Sequence, residues 1–217
     1  MLIESVRSIL RGGAHFVEIT TDSGLTGTGQ SAVWSYPEAP DAIMKSFAQY
    51  LVGKDPRRIE HHWQHLYRMG PFRGAALGGA ISAVDIALWD LKGQIHQTPV
   101  WDLLGGNCRD KIRLHYLILG DLGPDALAAA VKEAAALGFT AVKFDPIPGC
   151  DQPLAQTVQE VRARMAAARE AAGPEIDIIL EFHRRLTPLY ALPLIQAVAE
   201  FHPLFVEDPT QIGRAHV

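Results

Sequence analysis

The sequence predicts an α/β protein in which an α+β domain, ending near residue 108, precedes a parallel (β/α) domain. The first half contains a hairpin pattern followed by amphipathic helical patterns. From about Lys111, short apolar segments rich in β-branched residues alternate with helical segments that end at glycine. This alternation is typical of parallel strands joined by helical crossovers.

The hairpin is predicted from the segment HFVEITTDSGLTGTGQS, with its turn at Asp22-Ser23-Gly24. The glycines of GLTGTG also suggest a phosphate-binding loop. That alternative needs a lysine and a strand-to-helix context, and this segment has neither. The pattern therefore favours a hairpin.

Two helices follow the hairpin in the predicted first domain. The segment DPRRIEHHWQHLYRMG suggests a helix with Asp55 as its N-cap and Pro56 at its first position. His61 and His65 share a face of that helix, but a zinc helix of the H-E-x-x-H type needs a glutamate where this chain has His62. The next helix carries an apolar stripe at helical spacing, formed by Val84, Ala87, Leu88 and Leu91.

The second domain is predicted to contain four strands and three crossover helices. The strands lie in IRLHYLIL, TAVKFDPI, IDIILEF and PLFVED. Thr187 caps the last helix, and Pro193 inside it predicts a distorted first turn. Four strands form either a small open sheet or half of an eight-stranded barrel, which typically needs about 250 residues.

Composition restricts the class of protein. The 217 residues are 48% hydrophobic and 20% charged, with a formal net charge of -4, which is typical of a globular protein without a basic nucleic-acid-binding face. Cys108 and Cys150 do not suggest a disulfide framework. The sequence shows no secretory signal and no apolar stretch near the roughly 18 residues of a membrane span, so we expect a cytoplasmic protein.

Two carboxylates follow apolar strands, Glu181 at the end of the third strand and Glu207 at the end of the fourth. In parallel α/β folds, functional groups gather at these strand ends. A pair of carboxylates on neighbouring strands suits a hard divalent cation such as Mg²⁺. The alternative is that they are exposed loop acids, or pair with Arg184 and Arg185, and spacing alone leaves both open.

Three further side chains are candidates for acid-base chemistry. His183 stands two residues after Glu181, and Lys143 and Asp145 are two apart at the end of the second strand. A histidine is suited to carry a proton near neutral pH. Lys143 is a candidate base if burial lowers its pKa. The alternatives are a hydrogen-bonded structural histidine and a structural ion pair of Lys143.

Several segments together resemble the enolase superfamily and, within it, the mandelate racemase/muconate lactonizing enzyme group and its sugar-acid dehydratases of the galactonate and mannonate type. The segments are TTDSGLTGTGQ, GKDPRRIEHHWQHLYR, FRGAALGGAISAVDIALWDLKGQIHQTPVWDLLGG, ILEFHRRLTP and LFVEDP. The match extends from about residue 2 to 210 but covers only the front half of a typical member. The resemblance implies a capping domain over residues 1–108 and, over 109–217, the first half of a modified TIM-type (β/α) barrel with about four strands.

The resemblance also implies a Mg²⁺ ion held by three carboxylates at the ends of the third, fourth and fifth barrel strands. By position, Glu181 takes the first ligand place and Glu207 the second. The family usually has aspartate in the first place, so Glu181 is a departure, and its extra methylene moves the carboxylate by about 1.5 Å.

Catalytic roles follow from the same resemblance. His183 falls where such dehydratases carry the histidine that protonates the departing hydroxyl. Racemase-like members carry K-x-K on the second strand, whereas this chain has Lys143-x-Asp145, which favours a dehydratase over a racemase, an epimerase or a cycloisomerase. The implied reaction is removal of the proton next to the carboxylate of a sugar acid, an enediolate stabilised by Mg²⁺, and loss of the 3-hydroxyl to give a 2-keto-3-deoxy acid.

Partners and substrate contacts are implied in the same way. The expected partner is a small sugar acid, with no nucleic acid and no membrane, and the full-length parent is expected to form a homo-oligomer. In the capping domain, His15, Trp34 and Arg73 are candidates for substrate contact.

The third ligand and the base are expected on later strands. The segment TQIGRAHV after Pro209 does not continue as a helix that leads to a fifth strand. We therefore expect this chain to be a C-terminally truncated fragment of a carbon-oxygen lyase. Alone it should bind Mg²⁺ weakly and lack dehydratase activity. The alternative is a non-catalytic fragment that uses only the scaffold.

Overall fold

The computed structural model describes residues 1–149, 152–211 and 213. The chain divides into two compact units, Met1–Asp110 and Lys111–Val217. One contains an antiparallel sheet and the other a parallel sheet, so the predicted α/β fold class is confirmed. The residues outside this description are Cys150, Asp151, Ile212 and 214–217.

The sheet of the first unit has three antiparallel strands in the order β1-β2-β3. The strands are β1 (Ile3–Arg11), β2 (Ala14–Thr21) and β3 (Thr26–Ser31). β2 and β3 form the predicted hairpin, whose turn is closed by a hydrogen bond from the Gly24 amide to the Thr21 carbonyl oxygen at 2.9 Å. β1 is a strand that the sequence analysis did not identify.

Four helices complete the first unit: α1 (Glu38–Leu51), α2 (Ile59–Arg68), α3 (Ala75–His96) and α4 (Val100–Leu103). The predicted start of α2 was wrong. The Asp55 carboxylate accepts hydrogen bonds from the backbone amide of Arg57 at 3.0 Å and from its guanidinium at 2.7 Å, so it holds the chain in a turn before the helix begins. The predicted stripe of α3 is confirmed, because all four of its members are buried: Val84, Ala87, Leu88 and Leu91.

Packing of β3 against α3 explains the glycines of the hairpin. A Cβ atom built at Gly29 would lie 2.0 Å from the carbonyl oxygen of Ala83, and one at Gly27 would lie 2.1 Å from that of Ala87. Only glycine permits such a close approach of two backbones. The glycines of GLTGTG thus serve helix-sheet packing.

Two histidines are buried in the first unit. The ring nitrogens of His62 lie 3.0 Å from the Tyr50 hydroxyl and 2.8 Å from the Asp55 carbonyl oxygen. Those of His15 lie 2.8 Å and 3.0 Å from the hydroxyls of Ser8 and Ser31. Burial lowers the pKa of both histidines. Smaller effects raise it, from Asp55 on His62 and from Asp41 on His15.

We expect this burial to make the first unit sensitive to acid. An imidazole with a lowered pKa in the folded state binds its proton more readily when unfolded, so its contribution to stability is present above about pH 6.5 and is lost as the pH falls. Urea unfolding between pH 7.5 and 5.5 should show this loss. His62→Gln should reduce the pH dependence, and His96→Gln, exposed at the C-terminal end of α3, should not. An unchanged pH dependence in His62→Gln would contradict the expectation.

The second unit has a parallel sheet in the order β4-β5-β6-β7. The strands are β4 (Tyr116–Leu117), β5 (Ala141–Phe144), β6 (Asp177–Glu181) and β7 (Phe205–Glu207). Each strand pairs with the next one in sequence, as in a (β/α) barrel and unlike a doubly wound sheet, whose strand order reverses. β4 is much shorter than the predicted strand in IRLHYLIL.

Three helices connect these strands: α5 (Pro124–Ala136), α6 (Leu154–Ala172) and α7 (Pro188–Val198), the last followed by a 3-10 helix at Ala199–Phe201. Thr187 precedes α7 as predicted, although its side chain makes no capping hydrogen bond, and the helix continues through Pro193. None of the described helices is both long and apolar enough to cross a membrane.

The two faces of the parallel sheet differ in character. One face packs against the helices in a single apolar core that includes Val142, Phe144, Ile178 and Leu180. Side chains alternate between faces along a strand, so Lys143 and Glu181 point to the opposite face. The strand pattern thereby separates the core from the polar groups.

Candidate active site

The polar side chains of the second unit meet at the C-terminal ends of β5, β6 and β7. Glu181 and Glu207 are direct partners in the β6-β7 register, which places their carboxylates side by side. Lys143 pairs with Ile179, two residues before Glu181 on the same face. The Nζ atom of Lys143 lies 2.7 Å from Oε2 of Glu181 and 2.6 Å from Oε2 of Glu207.

The charges of this group stabilise each other. Burial lowers the pKa of Lys143, but the hydrogen bonds and the negative charges of Glu181 and Glu207 together outweigh it, and the net pKa is raised. Burial also raises the pKa of Glu181, but hydrogen bonds from Lys143 and from the His183 amide outweigh it, and the net pKa is lowered. Lys143 is therefore an ammonium group in this arrangement, and the lowered pKa required of a lysine base is not observed.

His183 lies between two carboxylates. Its backbone amide donates to Oε1 of Glu181 at 2.8 Å. Its ring Nδ1 lies 3.5 Å from the same oxygen, and Nε2 lies 3.7 Å from Oδ2 of Asp145. The ring is about half exposed, so it is open to a ligand while both of its nitrogens face negative charge.

Asp145 links the loop after β5 to the loop after β6. Its Oδ1 accepts a hydrogen bond from the amide of Ile147 at 2.9 Å, and its Oδ2 is in close contact with the guanidinium of Arg185. Burial raises the pKa of Asp145, although the Ile147 amide, Arg185 and His183 oppose this effect. The sequence offered Arg185 as a partner of Glu181 or Glu207, but in the structure Arg185 binds Asp145.

A left-handed backbone turn joins the loops after β6 and β7. The φ angles are 52° at His183, 59° at Arg184 and 45° at Asp208. The Arg184 amide donates to the Asp208 carbonyl oxygen at 2.8 Å, and its guanidinium lies 3.1 Å from Oδ2 of Asp208. These angles are costly for residues with a side chain, and such strain is often found at functional sites.

Three carboxylates could hold a metal ion. Glu181, Glu207 and Asp208 each offer one oxygen atom, and these atoms lie within 4.8 Å of one another. Oxygen donors of this kind suit a hard divalent cation. Three carboxylates, the Lys143 ammonium and a divalent cation would also be electrically neutral together. The donor set thus fits the predicted cation, with Asp208 as a further candidate ligand.

Asp208 could not be predicted from the strand pattern, because strict alternation places its side chain on the face opposite Glu207. β7 ends at Glu207, and the positive φ at Asp208 breaks the alternation. Aspartate tolerates this conformation better than most residues. The sequence signal for this ligand is an aspartate that follows the strand end and precedes Pro209.

The three predicted substrate contacts lie in the first unit. His15 is completely buried, and hydroxyl groups occupy both its ring nitrogens, which is the environment of a structural histidine and disfavours contact with a substrate. Trp34 is 78% exposed. Arg73 lies 4.4 Å from the centre of the Tyr67 ring and donates a hydrogen bond to the Phe72 carbonyl oxygen at 3.1 Å. Substrate contact by Trp34 or Arg73 stays a prediction.

We expect Arg184→Gly to be more stable than Arg184→Ala by about 1 kcal/mol, because glycine adopts a positive φ without strain. Both variants lose the exposed ion pair to Asp208, so the comparison isolates the backbone. Chemical denaturation measures the difference. The matched pair at Arg185, where φ is not positive, should show the opposite order. Equal stability of the two Arg184 variants would contradict the expectation.

Comparisons with known proteins agree with this geometry. The mandelate racemase/muconate lactonizing enzyme N-terminal domain matches residues 5–105, and the enolase C-terminal domain-like family matches residues 126–216. A D-galactonate dehydratase from Xanthomonas campestris pv. campestris (strain B100) is 38% identical over 205 residues, which are 92% of this chain and 53% of the relative. The chain thus spans about half the length of the curated relatives it matches.

Solved structures give the same result. A member of the enolase superfamily from Salmonella Typhimurium has a TM-score of 0.89 and 27% identity, over 97% of this chain and 62% of that one. An enolase from Agrobacterium radiobacter, provisionally named galactarate dehydratase and solved with bound Na and L-malate, has a TM-score of 0.86 and 28% identity, over 98% of this chain and 56% of that one. The chain therefore belongs to the mandelate racemase/muconate lactonizing enzyme family of the enolase superfamily.

Proposed function

We propose that these residues form part of a Mg²⁺-dependent sugar-acid dehydratase, a carbon-oxygen lyase. The observation that carries the proposal is the placement of His183 beside the paired carboxylates of Glu181 and Glu207 at adjoining strand ends. The relatives named D-galactonate dehydratase support it. Because the chain spans about half the length of those relatives, the reaction is proposed for a complete enzyme of this family that contains these residues.

Glu181, Glu207 and Asp208 are the residues that would hold the cation. A divalent cation there would supply Lewis-acid stabilisation of the negative charge that develops when the proton next to a carboxylate is removed. Lys143 keeps the two glutamates close together and balances part of their charge. We assign it this positioning role, because its Nζ atom lies within 2.7 Å of a carboxylate oxygen of each glutamate.

His183 is the proposed acid. Glu181 and Asp145 face its two ring nitrogens at 3.5 and 3.7 Å, so the ring is oriented between the strand ends of β5 and β6. Its half-exposed ring can deliver a proton to the oxygen of a departing hydroxyl, which leaves as water. Asp145, held by Arg185 and the Ile147 amide, orients the ring.

The test separates dehydration from proton abstraction. The 217-residue chain, and any longer product of its reading frame, should be incubated in D₂O with Mg²⁺ and a panel of aldonic and aldaric acids. We expect a 2-keto-3-deoxy acid from the longer product. His183→Asn should lower its formation by about 100-fold or more, since general-acid catalysis typically contributes 10²–10⁴-fold. Exchange of deuterium at the carbon next to the carboxylate should continue.

Two outcomes would contradict the proposal. Exchange or epimerisation without dehydration by the unmodified protein would indicate a racemase or epimerase. Dehydration by His183→Asn at the rate of the unmodified protein would show that His183 is not the acid. His202→Asn, in the loop before β7, is the matched control and should leave the reaction unchanged.

A further inference from the structure

Arg164 is a buried charge outside the proposed chemistry. It lies on α6, and its side chain is only 5% exposed. Its Nη1 atom lies 2.7 Å from Oδ1 of Asp121, and its Nη2 atom lies 2.7 Å from Oε1 of Glu160. Asp121 belongs to the loop after β4, whereas Glu160 is one turn earlier on the same helix. The guanidinium therefore connects α6 with a loop at the C-terminal end of the sheet.

The same guanidinium also reaches the loop after β5. Nη1 of Arg164 donates to the carbonyl oxygen of Pro146 at 3.4 Å. Asp121, which it binds, accepts a hydrogen bond from the amide of Gly149 through Oδ2 at 2.9 Å. The loop after β5 is thus connected to Arg164 of α6 at two points, directly at residue 146 and through Asp121 at residue 149. That loop begins with Asp145.

The burial of Arg164 is energetically costly. Its Nε atom is buried and has no hydrogen-bond partner among the described residues. Unsatisfied buried polar groups are rare and are often found where a structure serves function. Its two carboxylate partners are 54% and 37% exposed, so removing the arginine would not leave a fully buried negative charge. The arrangement is better explained by the loops it connects than by a gain in stability.

We propose that Arg164 is a positioning residue that fixes Asp145 through the loop after β5. The Pro146 carbonyl and the Ile147 amide belong to one planar peptide group. Holding the carbonyl therefore sets the direction of the amide, which donates to Oδ1 of Asp145 at 2.9 Å. Asp145 in turn faces Nε2 of His183. The importance of this chain of contacts for catalysis rests on the proposed function, but the contacts themselves can be tested without any activity.

The test is amide hydrogen exchange in the 217-residue chain with Arg164→Met, which keeps much of the side-chain volume and removes the hydrogen bonds. We expect exchange at Ile147 and Gly149 to become about tenfold faster or more, while amides of the core strands change little. Arg162→Met is the matched control, because Arg162 is on the same helix and its exposed side chain contacts Glu200 and the Phe201 ring, not the loop after β5. It should leave both amides unchanged. Arg164→Lys should restore part of the protection.

Other results would overturn the proposal. Unchanged exchange at Ile147 and Gly149 in Arg164→Met would show that the loop is held by other contacts. Equally faster exchange throughout the unit, with no recovery in Arg164→Lys, would show a purely structural role. If Arg164→Met does not fold, Asp121→Ala replaces it, and faster exchange at Ile147, whose amide does not bind Asp121, would support the proposal. No change there would refute it. None of these results depends on dehydratase activity.

Discussion

Glu181→Gln is expected to weaken the binding of a divalent cation by about 100-fold, equivalent to about 2.7 kcal/mol. Glutamine has nearly the same size and keeps an oxygen atom, but it removes one of the three negative charges offered by Glu181, Glu207 and Asp208. The remaining two carboxylates would face both the cation and the Lys143 ammonium, and the group would carry excess positive charge. Titration with Mn²⁺, followed by electron paramagnetic resonance, measures the affinity directly in the 217-residue chain.

The control for this prediction is Glu200→Gln, which removes an exposed carboxylate of the same unit that pairs with Arg162. It should bind Mn²⁺ as the unmodified chain does. Equal affinity of Glu181→Gln and the unmodified chain would show that the cation does not use this carboxylate. Denaturation with and without Mn²⁺ gives an independent measurement, because a ligand that binds only the folded state raises the free energy of unfolding by RT ln(1 + [L]/Kd).

Much of the candidate site could be predicted from local patterns. Glu181 and Glu207 end apolar strands, and adjacent parallel strands bring such ends together, so their proximity follows from strand order alone. Lys143 and Asp145 lie two apart and were expected on one face for the same reason. The stripe of α3 was predictable because helical spacing leaves little choice about which residues are buried.

Other contacts depend on backbone angles and long side chains that periodicity does not describe. Asp208 joins the two glutamates because its φ angle is 45°. Lys143 reaches across β6 to Glu207, a contact set by side-chain length and by the position of each strand end. At Asp55, the rule for helix caps failed because Arg57, two residues away, competes for the carboxylate. Such errors arise wherever a local side-chain contact outweighs an average preference.

The substitution of aspartate for the second lysine of K-x-K becomes understandable in the structure. Asp145 binds Arg185 and faces His183, so this position supports the loop after β6. A lysine at position 145 would meet the Arg185 guanidinium, and like charges at such a distance repel. Asp145 therefore contacts both Arg185 and His183. This arrangement is consistent with the proposed dehydratase and unfavourable to a two-lysine racemase.

Gly29→Ala is expected to destabilise the first unit by about 3 kcal/mol or more, because inserted atoms in a tightly packed contact force the backbone to move. The new Cβ atom would lie 2.0 Å from the carbonyl oxygen and 2.9 Å from the carbonyl carbon of Ala83. Both atoms belong to the backbone of α3, so no side chain can rotate away. Relief requires β3 and α3 to separate, which would loosen the packing around Val17 and Val84 in the core.

Gly78→Ala is the matched control for this prediction, because Gly78 lies in α3 with open space at its Cβ position. There alanine should stabilise the protein by about 0.5–1 kcal/mol through its higher helix propensity. The same chemical change would thus have opposite effects in the two elements that meet at this contact. Urea unfolding, monitored by the fluorescence of the tryptophans of the first unit, measures both. A Gly29→Ala variant as stable as the unmodified chain would show that β3 and α3 can separate at little cost, and would require another explanation for the glycines of GLTGTG.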